Sequence, residues 1–232
     1  MCPLLYTNTN PINNFIEELK SKLSNKLLNC LFICSDPNDY ERTDMYGYYT
    51  KSTFEEAGFC FQNFYILDTR NKDLLNKLLE NTNVVILAGG HVPTQNKFFN
   101  EIKLKEHLDK FNGVIIGVSA GSMNSAKIVY AHPERDGEAI SKEYKKFLPG
   151  LGITKNMIIP HYNCIKDTVL DGLRVFEDIA YPDSMEHKFY VLMDGSYIYG
   201  HDGIEELHGE AYLIQNGIIK KINETNQTIL LP

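Results

Sequence analysis

The sequence predicts an α/β fold, a mostly parallel sheet with helices on both faces. Three observations predict it. Short apolar runs rich in β-branched and aromatic residues recur at 29–34, 61–67, 84–87 and 114–116, and strands apolar on both sides belong to a parallel sheet covered on both faces. Stretches with apolar residues at helical spacing separate these runs. The connections between them are short, as βα units require.

Taken in order, a helix is expected over 12–23, a strand over 29–34, and a helix over 42–57 that Gly58 stops. A strand at 61–67, a helix at 72–80 and a strand at 84–87 follow. A helix at 95–108, with Thr94 as its cap, leads into the strand at 114–116. Beyond Ser119 the pattern changes to a polar stretch at 131–143, a strand at 157–160, a helix at about 166–180 and a strand at 189–193. The tail breaks into short runs at 197–199, 211–214 and 217–219, with Asn216-Gly217 as a two-residue hairpin signal. No internal repeat or linker interrupts the chain, so residues 1–232 are expected to form a single domain.

With 43% hydrophobic residues, 16 Gly and 9 Pro in 232 residues, the composition excludes collagen-like, low-complexity and wholly disordered chains. The start, Met1-Cys2-Pro3-Leu4-Leu5-Tyr6, turns polar without a basic region or a long apolar run, so no signal peptide or membrane span is expected and the location is read as cytoplasmic. The 23 Lys and Arg against 30 Asp and Glu give a net charge of −7. With no cluster of basic residues to offset phosphate repulsion, a nucleic-acid partner is disfavoured and a small molecule or peptide is expected, with oligomeric state left open. The five cysteines, Cys2, Cys30, Cys34, Cys60 and Cys164, are odd in number and lack CxxC spacing, which speaks for buried free thiols over a disulfide framework or a zinc site.

Gly117-Val118-Ser119-Ala120-Gly121 directly follows an apolar strand and precedes a stretch able to start a helix. That is the setting of a nucleophile elbow, in which glycines permit a sharp turn that exposes a hydroxyl at the carboxyl end of a strand. A serine nucleophile needs a base and the base needs an orienting acceptor. His161 ends the run Met157-Ile158-Ile159-Pro160 and is placed to be the base. His91 and His132 lie in loops beside the expected site, while His107, His187, His201 and His208 read as surface residues. Asp194 ends the strand at 189–193 and is the expected acid, with Glu134, Asp136 and Glu138 as rivals. At Leu87-Ala88-Gly89-Gly90-His91 a strand ends on two glycines, so the N–H groups of Gly89 and Gly90 could stabilise an oxyanion together with that of Ala120.

In this order, the Gly-Gly strand end, the Gly-Val-Ser-Ala-Gly elbow, Pro-His-Tyr-Asn and Asp-Gly-Ser-Tyr-Ile resemble the dipeptidase E and cyanophycinase family of serine peptidases, over essentially Leu31 to Gly217. The order also separates the chain from the usual α/β-hydrolases, whose acid precedes the histidine. The resemblance implies a glutamine-amidotransferase-like (flavodoxin-like) three-layer α/β sandwich with a short C-terminal β-hairpin region. It implies hydrolysis of a dipeptide or short peptide through an acyl-enzyme, with Ser119, His161 and Asp194 as catalytic residues and Gly89, Gly90 and Ala120 as the oxyanion hole. His91, Thr94, Asn163 and Arg174 are the expected substrate-binding residues, and no metal or other cofactor is called for. Relatives read an acidic amino-terminal residue with an Arg downstream of the histidine. Here that region is Leu170-Asp171-Gly172-Leu173-Arg174, and one alignment puts Arg174 at the reading position while another puts Asp171 there.

Two other readings compete. The same residues would serve an esterase or amidase acting on a small acyl substrate. A non-catalytic member of the fold would bind a small ligand and leave Ser119 unreactive. Residues 131–143 are a candidate lid on polarity and position alone.

Overall fold

The structure is a computed structural model that describes residues 14–23 and 27–232. Residues 12 and 13 of the expected 12–23 helix, and the polar N-terminal turn, lie outside the described residues. The described residues gather into two compact units, one of residues 16–23, 27–125 and 150–153 and the other of residues 14–15, 126–149 and 154–232.

In the unit of residues 16–125, four short apolar strands pair in parallel: β1 (Leu28–Ile33), β2 (Phe61–Leu67), β3 (Val84–Leu87) and β4 (Val114–Gly117), in the order β2-β1-β3-β4. Every residue of β3 is buried, as expected of a central strand with both faces covered. The helices before, between and after them are α1 (Phe15–Leu23), α2 (Tyr40–Glu56), α3 (Leu75–Glu80), α4 (Val92–Glu101), α5 (Leu104–Leu108) and α6 (Ala120–Asn124). Their apolar faces join the strands in a core that includes Leu31, Ile33, Leu87, Phe98, Phe99 and Leu104. The strands end in step: Ile33 is paired with Leu67 and with Leu87, and Leu87 with Gly117. One edge of the sheet therefore carries Cys34-Ser35, Asp68, Ala88-Gly89-Gly90 and Val118-Ser119. This is the carboxyl edge at which open α/β sheets bind ligands.

The other unit has a mixed sheet. Strands β5 (Ile128–Tyr130) and β6 (Phe147–Pro149) form a hairpin. Next come β7 (Met157–Ile159), a one-turn helix α7 (Tyr162–Ile165), a tight hairpin of β8 (Val169–Leu170) and β9 (Leu173–Arg174), a π-helical stretch at Val175–Ala180 and α8 (Tyr181–Asp183). Strands β10 (Lys188–Leu192), β11 (Tyr197–His201), β12 (Ile204–His208), β13 (Ala211–Gln215), β14 (Ile218–Asn223) and β15 (Thr228–Leu231) complete it. One sheet runs β14-β13-β10-β7 and a smaller one β11-β12-β15, and only the β10–β7 pair is parallel. Phe176, Phe189, Val191 and Ile214 form one core of this unit, and Tyr190, Leu192 and Leu207 another. The fold is thus mixed α/β, a parallel four-stranded sheet flanked by helices with antiparallel strands towards the C-terminus.

Three expectations need correction. The helix expected over 166–180 is instead a turn, the β8–β9 hairpin and the π-helical stretch, because Asp171 and Gly172 both adopt positive φ (53° and 81°) and reverse the chain. The helix at 95–108 begins earlier, at Val92, with His91 and not Thr94 at its cap position, and it breaks at Lys103, whose φ is 51°. Cys30 and Cys34 are buried free thiols, as expected, but Cys60 is free and exposed and Cys164 is disulfide-bonded. Cys164 is exposed on α7. The Asn216-Gly217 turn between β13 and β14 forms as its sequence requires, with φ of 54° and 72°. Among the described residues no helix is long and apolar enough to cross a membrane.

The polar stretch at 131–143 forms neither a helix nor a strand, and the β8–β9 hairpin helps to hold it. The Asp171 carboxylate, at the tip of the β8–β9 hairpin, accepts from the backbone N–H of Gly137 (2.8 and 3.0 Å) and of Ala139 (3.0 Å). In Asp171→Ala, amide hydrogen exchange at Gly137 and Ala139 should quicken by about tenfold or more, since each charge-assisted bond contributes roughly 1.5–3 kcal/mol. Unchanged exchange there would show that the loop is held by other contacts.

Candidate active site

Ser119 has φ 51° and ψ −111°, a conformation that L residues other than glycine rarely take. The close packing of the turn maintains it. A Cβ on Gly121 would collide with the carbonyl oxygen of Leu87, and one on Gly117 would stand 2.8 Å from the backbone of Ser122. Both glycines of the motif are therefore demanded by close approach of backbone to backbone. The turn is closed by Gly121 N–H donating to Val118 O (2.9 Å) and Met123 N–H donating to Ser119 O (3.0 Å). Ser122 Oγ donates to Gly117 O (2.7 Å). Ser119 is left half-buried at the start of α6, with Ala120 fully buried behind it.

On the adjoining strand, β3 ends in Ala88-Gly89-Gly90. Gly90 has φ 151°, and a side chain there would collide with Ser35 Oγ. Its N–H belongs to a stretch of backbone open to solvent at the same carboxyl edge as Ser119. His91 Nδ1 and Thr94 Oγ1 are 2.7 Å apart, so these two expected substrate-binding residues are bonded to each other.

Behind this edge lies a set of buried amides that the sequence reading did not single out. Gln95 Nε2 donates to Ala88 O (2.7 Å), and Asn124 Nδ2 donates to Gln95 Oε1 (3.0 Å) and Val92 O (3.2 Å). Asn96 Nδ2 donates to Asn124 Oδ1 (2.9 Å) and Asn100 Nδ2 to Asn96 Oδ1 (2.9 Å). Their signal was present: Val92, Gln95, Asn96, Phe98 and Phe99 occupy the buried stripe of α4, and amides within an apolar stripe mark a core network.

In the other unit, His161 follows β7 and Asp194 follows β10, the one parallel pair there, so both leave the sheet at the same edge. His161 Nδ1 is 2.6 Å from Asp194 Oδ1, and both side chains are largely buried. With Nδ1–H donating to the carboxylate, Nε2 is the unprotonated ring nitrogen. His161 itself has φ 62°, a second residue held in a sparsely populated conformation. Asn163, expected to bind substrate, engages the acid: its Nδ2 donates to Asp194 Oδ2 (2.8 Å) and its Oδ1 accepts from Asp194 N–H (3.1 Å). Cys164 Sγ lies 3.5 Å from the same carboxylate oxygen.

The rival carboxylates have other surroundings. Glu138 Oε2 accepts from the backbone N–H of Glu134 and Arg135. Glu134 is open to solvent yet ringed by protein, and that crowding, with the charge of Glu138, pushes its carboxyl up to about 7. Asp136 is exposed. Arg174, the other expected substrate contact, is held by Asp178, to which it donates from Nε (2.9 Å), Nη2 (2.7 Å) and its backbone N–H (2.8 Å). These bonds hold the Asp178 carboxyl down at about 2. Among the described residues no group of three or more His, Cys, Asp or Glu is arranged to hold a metal ion.

His132, on the same unit as His161, is buried. Burial lowers its pKa first, and the positive charge of a protonated His161 lowers it further. A histidine whose folded value lies below its unfolded value of about 6.5 adds stability that is complete above that pH and is lost as pH falls below it. Urea unfolding at pH 7.5 and 5.0 should therefore show a smaller acid loss of stability in His132→Gln than in the wild type. An equal loss in the two proteins would assign the acid sensitivity to other groups.

Comparison with known proteins gives a consistent picture. The family model described as peptidase family S51 matches residues 6–206. Among solved structures, a putative peptidase E protein from Listeria monocytogenes EGD-e superimposes with a TM-score of 0.55 at 16% identity, covering 91% of this chain and 95% of that one. No curated protein sequence matches the chain significantly.

Proposed function

The chain belongs to peptidase family S51 and is a serine peptidase, and on that premise we propose that it hydrolyses dipeptides or short peptides through Ser119, His161 and Asp194. The observation that carries this reading is the strained Ser119 turn, with φ 51° enforced by two glycines that have no room for a side chain. A tight turn with no chemical task has no need to hold a serine in that conformation.

In this reading His161 Nε2 takes the Ser119 hydroxyl proton as Oγ bonds to the scissile carbonyl carbon. The oxyanion accepts from the N–H groups of Gly90 and Ala120, with Gly89 shaping the loop. His161 then gives the proton to the leaving nitrogen as the C–N bond breaks, leaving an ester on Ser119. Water, deprotonated by the same nitrogen, attacks that ester and releases the acid and the free serine. Asp194 holds the imidazole tautomer and stabilises the imidazolium. Asn163 fixes Asp194 by one bond to its carboxylate and one from its backbone N–H. No step calls for a metal or organic cofactor, and a cytoplasmic setting rests on the sequence alone.

Substrate preference follows from two commitments. The Arg174 guanidinium is engaged by Asp178, and the Asp171 carboxylate by the backbone of the 131–143 loop. Neither is offered to a substrate, so we infer that no strong preference for an acidic amino-terminal residue is built in.

A panel of Asp-X, Glu-X and neutral dipeptides tests both statements. Wild-type turnover should vanish in Ser119→Ala and fall by about 10⁴ in Asp194→Asn, where the tautomer is reversed. The kcat/KM values for acidic and neutral members should lie within about threefold, since a charged recognition contact would contribute more than RT ln 3. Turnover that survives in Ser119→Ala would remove the serine from its role, and activity towards esters alone would move the reading to an esterase. A preference of a hundredfold for Asp-X would show that Arg174 leaves Asp178 to read substrate.

A further inference from the structure

The carbonyl of Ala88 and the side chain of Asn124 stand on the two sides of the expected oxyanion hole. Ala88 immediately precedes Gly89-Gly90, and Asn124 lies four residues beyond Ala120 on α6. Gln95 joins them, donating to Ala88 O and accepting from Asn124 Nδ2. Gln95 and Asn124 are fully buried and Asn96 is 6% exposed, so no water competes for these bonds. Every polar side-chain atom of the three is satisfied. Asn124 also fixes the approach of α4 by donating to Val92 O, one residue past His91.

A core needs no such arrangement for stability alone. Replacing both partners of a buried hydrogen bond by apolar groups of the same shape is nearly neutral. What the amides supply and apolar side chains cannot is direction, because each bond fixes a separation and an angle between α4, α6 and the end of β3. Resting on the reading that Gly90 and Ala120 N–H hold the oxyanion, we propose that Gln95 and Asn124 are positioning residues for hydrolysis. Their amides set the spacing between the two N–H donors. Oxyanion donors act through distance, and a shift of about 1 Å costs on the order of a hundredfold in rate. The substrate in its ground state makes weaker use of those donors, so the loss falls on kcat and leaves KM nearly unchanged.

The test is steady-state kinetics of the full chain on the best dipeptide of the panel. Gln95→Met keeps length and removes the donor to Ala88 O and the acceptor for Asn124. It should lower kcat by about tenfold to a hundredfold, with KM within about twofold. Leu75→Ala, a core truncation in the same unit, serves as the control for lost stability and should keep wild-type kcat at 25 °C. If Gln95→Met does not fold, Asn96→Ala carries the test, since it removes one bond to Asn124 and should lower kcat by about threefold to tenfold. A kcat within twofold of wild type in either folded variant, or a loss no greater than that of Leu75→Ala, overturns the proposal while leaving Ser119 as nucleophile. A wild-type protein whose turnover is unaffected by Ser119→Ala overturns the catalytic reading beneath it instead.

Discussion

The close approach of Gly121 to the carbonyl of Leu87 is the constraint on which the proposed chemistry depends. It brings the start of α6 onto the end of β3 with no room for a side chain between them. The chain leaving β4 must then turn within Val118 and Ser119, and the turn places Ser119 at φ 51°. Parallel pairing of β3 with β4, Leu87 opposite Gly117, brings Gly89-Gly90 to the same edge. One steric fact thus couples three features: the motif glycines, the strained serine and the donors beside it. Strain of this kind costs on the order of 1–3 kcal/mol and persists only where surrounding structure over-determines it. Here the strand pairing, the turn hydrogen bonds and the buried amides of Gln95 and Asn124 do so.

The second unit solves a different problem with the same device. The proposed base and acid are held within hydrogen-bond distance because β7 and β10, neighbouring and parallel, deliver His161 and Asp194 to one edge. Asn163 then holds Asp194 at two points, donating from Nδ2 to the carboxylate and accepting at Oδ1 from the backbone N–H. Elsewhere in the same unit Arg174 is paired with Asp178 and Lys146 with Asp183.

Much of this was legible in the sequence because it follows from periodicity and from glycine. The four parallel strands lie at or within a residue or two of their expected positions, since continuous β-branched runs have few other uses in a chain of this composition. The elbow was legible because Gly117, Ser119 and Gly121 follow a strand directly. The segment at 166–180 misled because helical spacing outweighed Asp171-Gly172, a turn dipeptide whose positive φ values start a hairpin. The bonds of Asn163 to Asp194 were not legible, because sequence does not tell which way an amide points. Gln95, Asn96 and Asn124 escaped notice because polar residues on a helix are usually solvated. Their placement in the apolar stripe of α4 was the available sign.

The most direct test of the central claim, that Ser119 is an activated nucleophile, is peptide mapping by mass spectrometry after exposure to a fluorophosphonate. The account predicts a single adduct, on Ser119, that is absent in His161→Ala because the hydroxyl is then left without a base. An adduct on another serine, or none on the folded wild type, would contradict it.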